Sequence, residues 1–184
     1  MFVIKLIIFV IGTIGIVWVS RSSLRNVQNH GFYRFFAWET ILVMFVLNAN
    51  YWIIDPFSFI HLISWCLLII SLILIVQGVQ AFRRKGKIDQ ARDAPALVGI
   101  EKTTELVTTG VYQTIRHPFY SSLLFLSWGI VLKRVSSIEL TLALVATLLL
   151  TITAIKEEKE NIAYFGEPYE KYMKQTKRFI PYIV

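Results

Sequence analysis

Apolar and polar residues do not alternate along this chain; they come in blocks. Apolar runs cover residues 2–19, 35–54, 57–81, 118–132 and 138–155. Four of them approach or reach the ~17–25 residues that cross ~30 Å of hydrocarbon as a helix. The fourth is about 14 residues long, below that range, and is expected to pair tightly with the fifth across the turn at 133–137. The second run begins with Phe35, Phe36 and Trp38 and ends with Tyr51 and Trp52, as a helix spanning between two interfacial belts would. Asp55-Pro56 ends it, because proline lacks the N–H a helix needs. Pro118 suits a first helical turn, where that N–H would have no partner anyway. The pattern predicts an all-α integral membrane protein of about five transmembrane helices, with residues 1–184 forming one membrane domain.

Composition supports this. The chain is 55% hydrophobic and 17% charged, with mean hydropathy +0.59, and soluble domains carry about 25% charge. The net charge of +7 is therefore read as attraction to an anionic membrane leaflet, and nucleic acid is not an expected partner. Sixteen of the nineteen Lys and Arg fall on one side if the N-terminus is outside and the C-terminus cytoplasmic; Lys5, Lys133 and Arg134 oppose it. The compact length suggests a prokaryotic inner or cell membrane. The N-terminal run is read as a first span rather than a cleaved leader, since Arg21 and Arg25 follow it without a small-x-small site. Cys66 is the sole cysteine, and His30, His61 and His117 lie in separate segments; no metal site is expected. Residues 88–109 make a polar connection longer than the usual ~12–15 residue ceiling, which predicts a functional or partly folded segment.

Candidate chemistry sits in two places on the expected cytoplasmic face. One is Gly110, Tyr112, Arg116, His117 and Tyr120; the other is Glu157-Glu158, Phe165-Gly166, Tyr169, Tyr172, Arg178 and Pro181. Polar groups at a membrane boundary usually mark a site. Pairing of the fourth and fifth runs would make His117 a neighbour of Glu157 and Glu158. Carboxylates among aromatic rings suit a cationic, ribose-bearing cofactor, since ring faces attract a sulfonium and a carboxylate accepts from ribose hydroxyls. Duller readings exist for each residue. Arg116 could be a snorkelling anchor, Tyr112 and Tyr120 belt aromatics, Glu157 part of a solvated helix end, Tyr169 and Tyr172 tail packing. Arg83-Arg84-Lys85 reads as a topogenic cluster. His30 and His61 read as structural or surface residues, and Asn48, Asn50 and Gln77 as bonds between helices.

The stretch from Glu105 to Tyr120, Glu-Leu-Val-Thr-Thr-Gly-Val-Tyr-Gln-Thr-Ile-Arg-His-Pro-Phe-Tyr, resembles the cofactor motif of isoprenylcysteine carboxyl methyltransferases and related phospholipid methyltransferases. Glu157-Glu158, Phe165-Gly166, Tyr169 and Tyr172, then Arg178 and Pro181, resemble its second half. Together they cover roughly residues 75–181. The resemblance implies S-adenosyl-L-methionine as cofactor, bound between the last spans and a cytosolic tail, and a lipid or prenylated acceptor entering from the bilayer. Residues 1–81 would then supply three spans, and 82–184 the catalytic core. Val107, Gly110, Tyr112, His117, Pro118, Tyr120 and Glu157 are the implied cofactor-binding residues. Arg178 would orient the acceptor, and Glu158 is a catalytic candidate. The chain departs from the pattern at Lys-Gly-Lys-Ile-Asp-Gln-Ala-Arg (85–92), where relatives carry a Leu-Gly-x-x-Trp-Ser-like segment, and at Asn161, where they carry Leu.

The expected function is methyl transfer to a lipidic or membrane-accessible acceptor, with an isoprenylcysteine carboxylate as one candidate. Two alternatives belong to other classes: a non-catalytic scaffold or transporter subunit, and a membrane reductase sharing the core. The scaffold does not explain two spaced polar motifs on one face, and the reductase requires nicotinamide binding, for which the sequence offers no extra phosphate-binding cluster.

Overall fold

The computed structural model describes residues 2–85 and 103–183. The segment that departs from the family pattern at 86–92, with most of the long connection after it, lies outside the described residues. Six α-helices follow in order: α1 (Phe2–Ser20), α2 (His30–Asn48), α3 (Phe59–Lys85), α4 (Pro118–Val131), α5 (Ser137–Phe165) and α6 (Glu167–Gln175). Short 3₁₀ turns sit at Ser23–Arg25 and Gly110–Gln113. Among the described residues there is no sheet, only an isolated parallel bridge between Ile115 and Lys177.

Helices α1, α3 and α5 are long and apolar enough to cross a membrane. Their outward faces carry Ile11, Ile14 and Trp18, then Ile69 and Leu72, then Leu144 and Leu148, all exposed, as side chains solvated by lipid would be. The protein is all-α and integral to the membrane. A count of five spans needs α2 and α4 as well. Helix α2 includes Arg34 and Glu39, and α4 is 14 residues, about 21 Å long.

Three sequence-based boundaries move: α5 continues ten residues past the apolar run 138–155, to Phe165, so Glu157 and Glu158 are helical, and both ends of the second helix shift. The second helix spans His30–Asn48 rather than 35–54. Its start is drawn back because the Glu160 carboxylate accepts the His30 backbone N–H at 3.0 Å, placing an anion on orphan donors at a helix N-terminus. Arg34, just before the apolar run 35–54, is thereby a buried helical residue with its guanidinium 4.9 Å from the Trp38 ring centre. Its end comes early because residues 49–58 form turns ahead of α3.

The pairing of the short helix also differs. α4 lies along α3 more extensively than along α5, and α5 lies along α2. Small and polar side chains explain the first contact. Ser64 donates to the Gly129 carbonyl at 2.7 Å, Ser71 and Ser122 share a 3.0 Å hydrogen bond, and a Cβ on Gly129 would sit 2.9 Å from Leu68. Lipid tails are as apolar as leucine, so close backbone approach and such bonds hold membrane helices together. On α5 the buried stripe Ala143, Ala146, Leu150 and Ala154 belongs to one core with Ala37, Ile41 and Met44 of α2. Asn48 donates to the Met44 carbonyl at 3.1 Å and also reaches Glu139 of α5. Ser136 caps α5 by accepting the Glu139 N–H at 3.3 Å. α4 and α5 still touch, through Trp128 Nε1 donating to Thr147 at 3.2 Å, and their charged ends meet at the site.

Candidate active site

Residues Lys177 to Phe179 of the tail after α6 pair with the start of α4. Lys177 N–H donates to Thr114 O at 3.0 Å, Arg116 N–H to Lys177 O at 2.8 Å and His117 N–H to Arg178 O at 3.2 Å. Ser121, one turn into α4, donates its hydroxyl toward the His117 carbonyl at 2.9 Å and the Phe179 carbonyl at 2.8 Å. Tyr172 of α6 donates to the Tyr112 carbonyl at 2.7 Å. Backbone groups that a helix start would leave orphaned are satisfied by the tail. The two sequence motifs are thus stitched into one body.

Glu158 lies at the centre of that stitching. Arg178 grips it with both arms of its fork, Nε to Oε1 at 3.0 Å and Nη2 to Oε2 at 2.8 Å. Arg116 approaches Oε1 through Nε at 3.0 Å and Nη2 at 2.9 Å, while its Nη1 donates to the Thr176 carbonyl and to the Met173 carbonyl at 3.2 Å. His117 Nε2 is 3.4 Å from Oε1. Paired forks on one carboxylate are among the strongest polar contacts proteins make. The hydrogen bond to Glu158 holds the Arg178 guanidinium even more firmly protonated than usual. Arg116 is therefore no snorkelling anchor; it is a buried strut between α5 and the tail.

Glu157 points elsewhere. It lines a cleft with Phe82 of α3, Thr103, Glu105, Leu106, Val107, Tyr112, Arg116, His117, Phe119, Tyr120, Asn161, Phe165, Tyr169 and Tyr172. The cleft has a free volume of about 70 Å³, smaller than a site that already holds a drug-sized ligand. His117 stacks on Tyr120 with centroids 5.3 Å apart and planes at 18°, and its Nδ1 is 3.7 Å from Glu157 Oε2. Phe165 stacks on Tyr169 at 6.3 Å and 19°. Burial raises the Tyr169 and Tyr172 hydroxyls well above the usual phenol range, so both stay protonated donors; a hydrogen bond with Asn161 partly offsets the effect at Tyr169.

Of the residues expected to hold a cofactor, Val107, Tyr112, His117, Tyr120 and Glu157 come together in this cleft. Gly110 does not. It borders a separate groove with Gln77, Gln80 and Arg84 of α3. Its φ of +65° shows why glycine stands there: the chain turns through a left-handed conformation to present Tyr112 inward. Pro118 is the buried first residue of α4 and sets the helix start. Glu158 and Arg178, expected to meet the acceptor, hold one another and are not among the cleft's lining residues. Sequence reasoning missed Phe82, Thr103, Glu105, Leu106 and Phe119 as lining residues. Asn161 was noted only as a departure from a pattern; its spacing of four from Glu157 is the signal that puts both on one helical face. His30 and His61 are buried rather than surface residues. His61 bonds the Lys133 carbonyl through Nε2 at 3.1 Å, and His30 pairs with Glu160 at 2.6 Å. Among the described residues no group of three His, Cys, Asp or Glu is placed to hold a metal ion.

The donor set fits a cationic nucleoside. Rings line the wall for a sulfonium and a base, and Glu157, Glu105 and Asn161 offer acceptors for hydroxyl and amine groups. Comparison with known proteins identifies the family. The chain is 28% identical over 143 residues to a methanethiol S-methyltransferase of Pseudomonas deceptionensis, covering 78% of this chain and 48% of that protein. It is 34% identical over 76 residues to a methanethiol S-methyltransferase of Crocosphaera subtropica (strain ATCC 51142 / BH68), covering 41% and 29% respectively. The chain spans about half the length or less of these curated relatives. No solved structure matches. The phospholipid methyltransferase model matches residues 59–167, more than half of the chain, from α3 to the start of α6, and the chain belongs to that family of membrane methyltransferases.

Proposed function

We propose that the protein transfers a methyl group from S-adenosyl-L-methionine to a membrane-accessible acceptor that is neutral and carries a proton, with a thiol favoured over an isoprenylcysteine carboxylate. The observation that carries this is the state of Arg178. Its fork is engaged with Glu158 at 2.8–3.0 Å, and Arg116, the cationic side chain among the cleft's lining residues, is engaged with the same carboxylate. An anionic acceptor would have to break a buried bidentate pair to be held. Both relatives named above are called methanethiol S-methyltransferases, which supports a thiol.

Tyr112, Tyr120, Phe165 and Tyr169 would face the cofactor, with Glu157, Glu105 and Asn161 as its hydrogen-bond acceptors. When bound, the cofactor supplies a methyl group already activated by a sulfonium, so the protein's task is alignment, exclusion of water and removal of one proton. His117 is the proposed base. A tautomer with hydrogen on Nε2, which lies 3.4 Å from Glu158, would leave the Nδ1 lone pair toward Glu157, 3.7 Å away. The acceptor's proton passes to Nδ1, and the Glu157 carboxylate stabilises the imidazolium that forms. Glu157 thus serves both cofactor and base. The excess of basic residues at the cleft end supports a C-terminus and cleft on the cytoplasmic side and an outside N-terminus.

The test is tritiated S-adenosyl-L-methionine with the purified protein in nanodiscs, offered a small thiol, farnesylcysteine or a phospholipid amine. Label is expected in the thioether. Label in farnesylcysteine ester alone would overturn the thiol reading. No label in any acceptor, together with no thermal shift on adding S-adenosylhomocysteine, would sink the methyltransferase reading.

A further inference from the structure

Helix α3 is apolar enough to cross a membrane, yet its last three turns carry Gln77, Gln80 and Arg84 on one face. Their spacing of three and four residues stacks them along the helix. All three are exposed, and none has a hydrogen-bond or ion-pair partner among the described residues. Gln77 therefore does not bond between helices, as expected of it above. The three side chains line a groove with Leu74, Thr109 and Gly110. Its free volume is about 620 Å³, in the range of small-molecule sites. No residue lines both this groove and the cleft; Ala81 faces the groove and its neighbour Phe82 the cleft.

The order of side chains along α3 matches the order of groups in a phospholipid. Measured along the helix from Arg84, Gln80 lies about 6 Å away, Gln77 about 10 Å and Leu74 about 15 Å. The polar zone of one leaflet is about 5–8 Å thick. With Arg84 among the phosphates, Gln80 reaches the depth of the glycerol esters and Gln77 enters the hydrocarbon. An unbonded amide is costly there. A guanidinium donates to a phosphate and an amide to an ester carbonyl, and Leu74 continues the same face toward acyl chains. Among the described lining residues Arg84 is the charged one and no carboxylate opposes it, so the groove favours an anion. We propose that this groove holds one anionic phospholipid, with its phosphate on Arg84, its ester carbonyls on Gln80 and Gln77, and its chains running past Leu74. This lipid is a bound component rather than the methyl acceptor, because groove and cleft share no lining residue. It ties α3 to the Thr109–Gly110 segment that leads into Tyr112.

Native mass spectrometry of the full-length protein, released from detergent micelles doped with phosphatidylglycerol or phosphatidylcholine, reads the lipid directly and needs no methyl transfer. One phosphatidylglycerol is expected to stay bound, and phosphatidylcholine to bind more weakly. Arg84→Gln should lower phosphatidylglycerol affinity about tenfold, as loss of a charge-assisted hydrogen bond would. Arg83→Gln removes the same charge from a neighbouring side chain outside the groove and should lower it far less. Equal losses would mean only the general attraction of a basic patch for anionic lipid and would overturn the proposal. Wild type should also prefer the ester-linked lipid to its dialkyl ether analogue, which lacks the carbonyls. That preference should vanish in Gln77→Leu/Gln80→Leu, a change that keeps a membrane helix apolar, with Tm in lipid-free detergent near that of wild type. An absent ester preference in wild type, or displacement of the lipid by inorganic phosphate, would overturn it equally.

Discussion

Glu157 and Glu158 are consecutive residues at the charged end of α5, and they have opposite surroundings. Side chains one residue apart on a helix diverge by about 100°, so one carboxylate turns toward the cleft and the other toward the tail. Glu158 sits between two guanidinium groups and the His117 Nε2, holding α5, the start of α4 and the tail together. Glu157 faces a ring-lined cleft. The same chemical group is enclosed where two guanidinium groups close on it and faces a cleft where one side is left open, which under the proposed function makes the first structural and the second functional.

The sharpest way to break this comparison is Glu158→Ala. It leaves Arg116 and Arg178 without their shared anion in a mostly buried setting, which should cost about 3–5 kcal/mol. Thermal unfolding in detergent should show a large fall in Tm, and S-adenosylhomocysteine should no longer stabilise the protein. Glu157→Gln should separate the two roles from the other side. Methyl transfer should fall by about 100-fold, while Tm falls far less than in Glu158→Ala. If the two variants lose stability equally, the division of labour is wrong. Tyr172→Phe removes the buried donor to the Tyr112 carbonyl and should cost about 1 kcal/mol, seen as a modest drop in Tm with a raised KM for the cofactor, because Tyr112 lines the cleft. The mildest change is Gly110→Ala. A Cβ there would have room, its nearest neighbour Ala81 lying 3.7 Å away, so only the φ of +65° opposes it, at about 1 kcal/mol. A larger loss would mean that Gly110 itself contacts a ligand.

The apolar blocks located α1, α3 and α4 to within a few residues, and the start of α5, because hydropathy and helix length are local properties; α5 runs ten residues past its apolar block to Phe165. Helix α2 was misplaced because its start is decided by Glu160, 130 residues away along the chain. His117, Tyr120, Tyr112, Val107 and Glu157 could be picked out because ionisable and aromatic residues clustered at a membrane boundary are costly without a purpose. Glu105, Phe82 and Phe119 carried no comparable signal. A carboxylate in a polar segment and two rings near helix ends look the same whether or not a cleft forms between them.

Read alone, the sequence determined an all-helical membrane chain, two polar motifs and their meeting at one end, since each depends on composition, periodicity and a short turn. It could not decide which of two adjacent carboxylates would be enclosed. Nor could it decide that Arg116 and Arg178 would bind each other's partner rather than a substrate, or that α2 would lie along α5. Those outcomes depend on which surfaces pack against the end of α5, and a charge becomes a strut or a ligand-facing group according to what surrounds it.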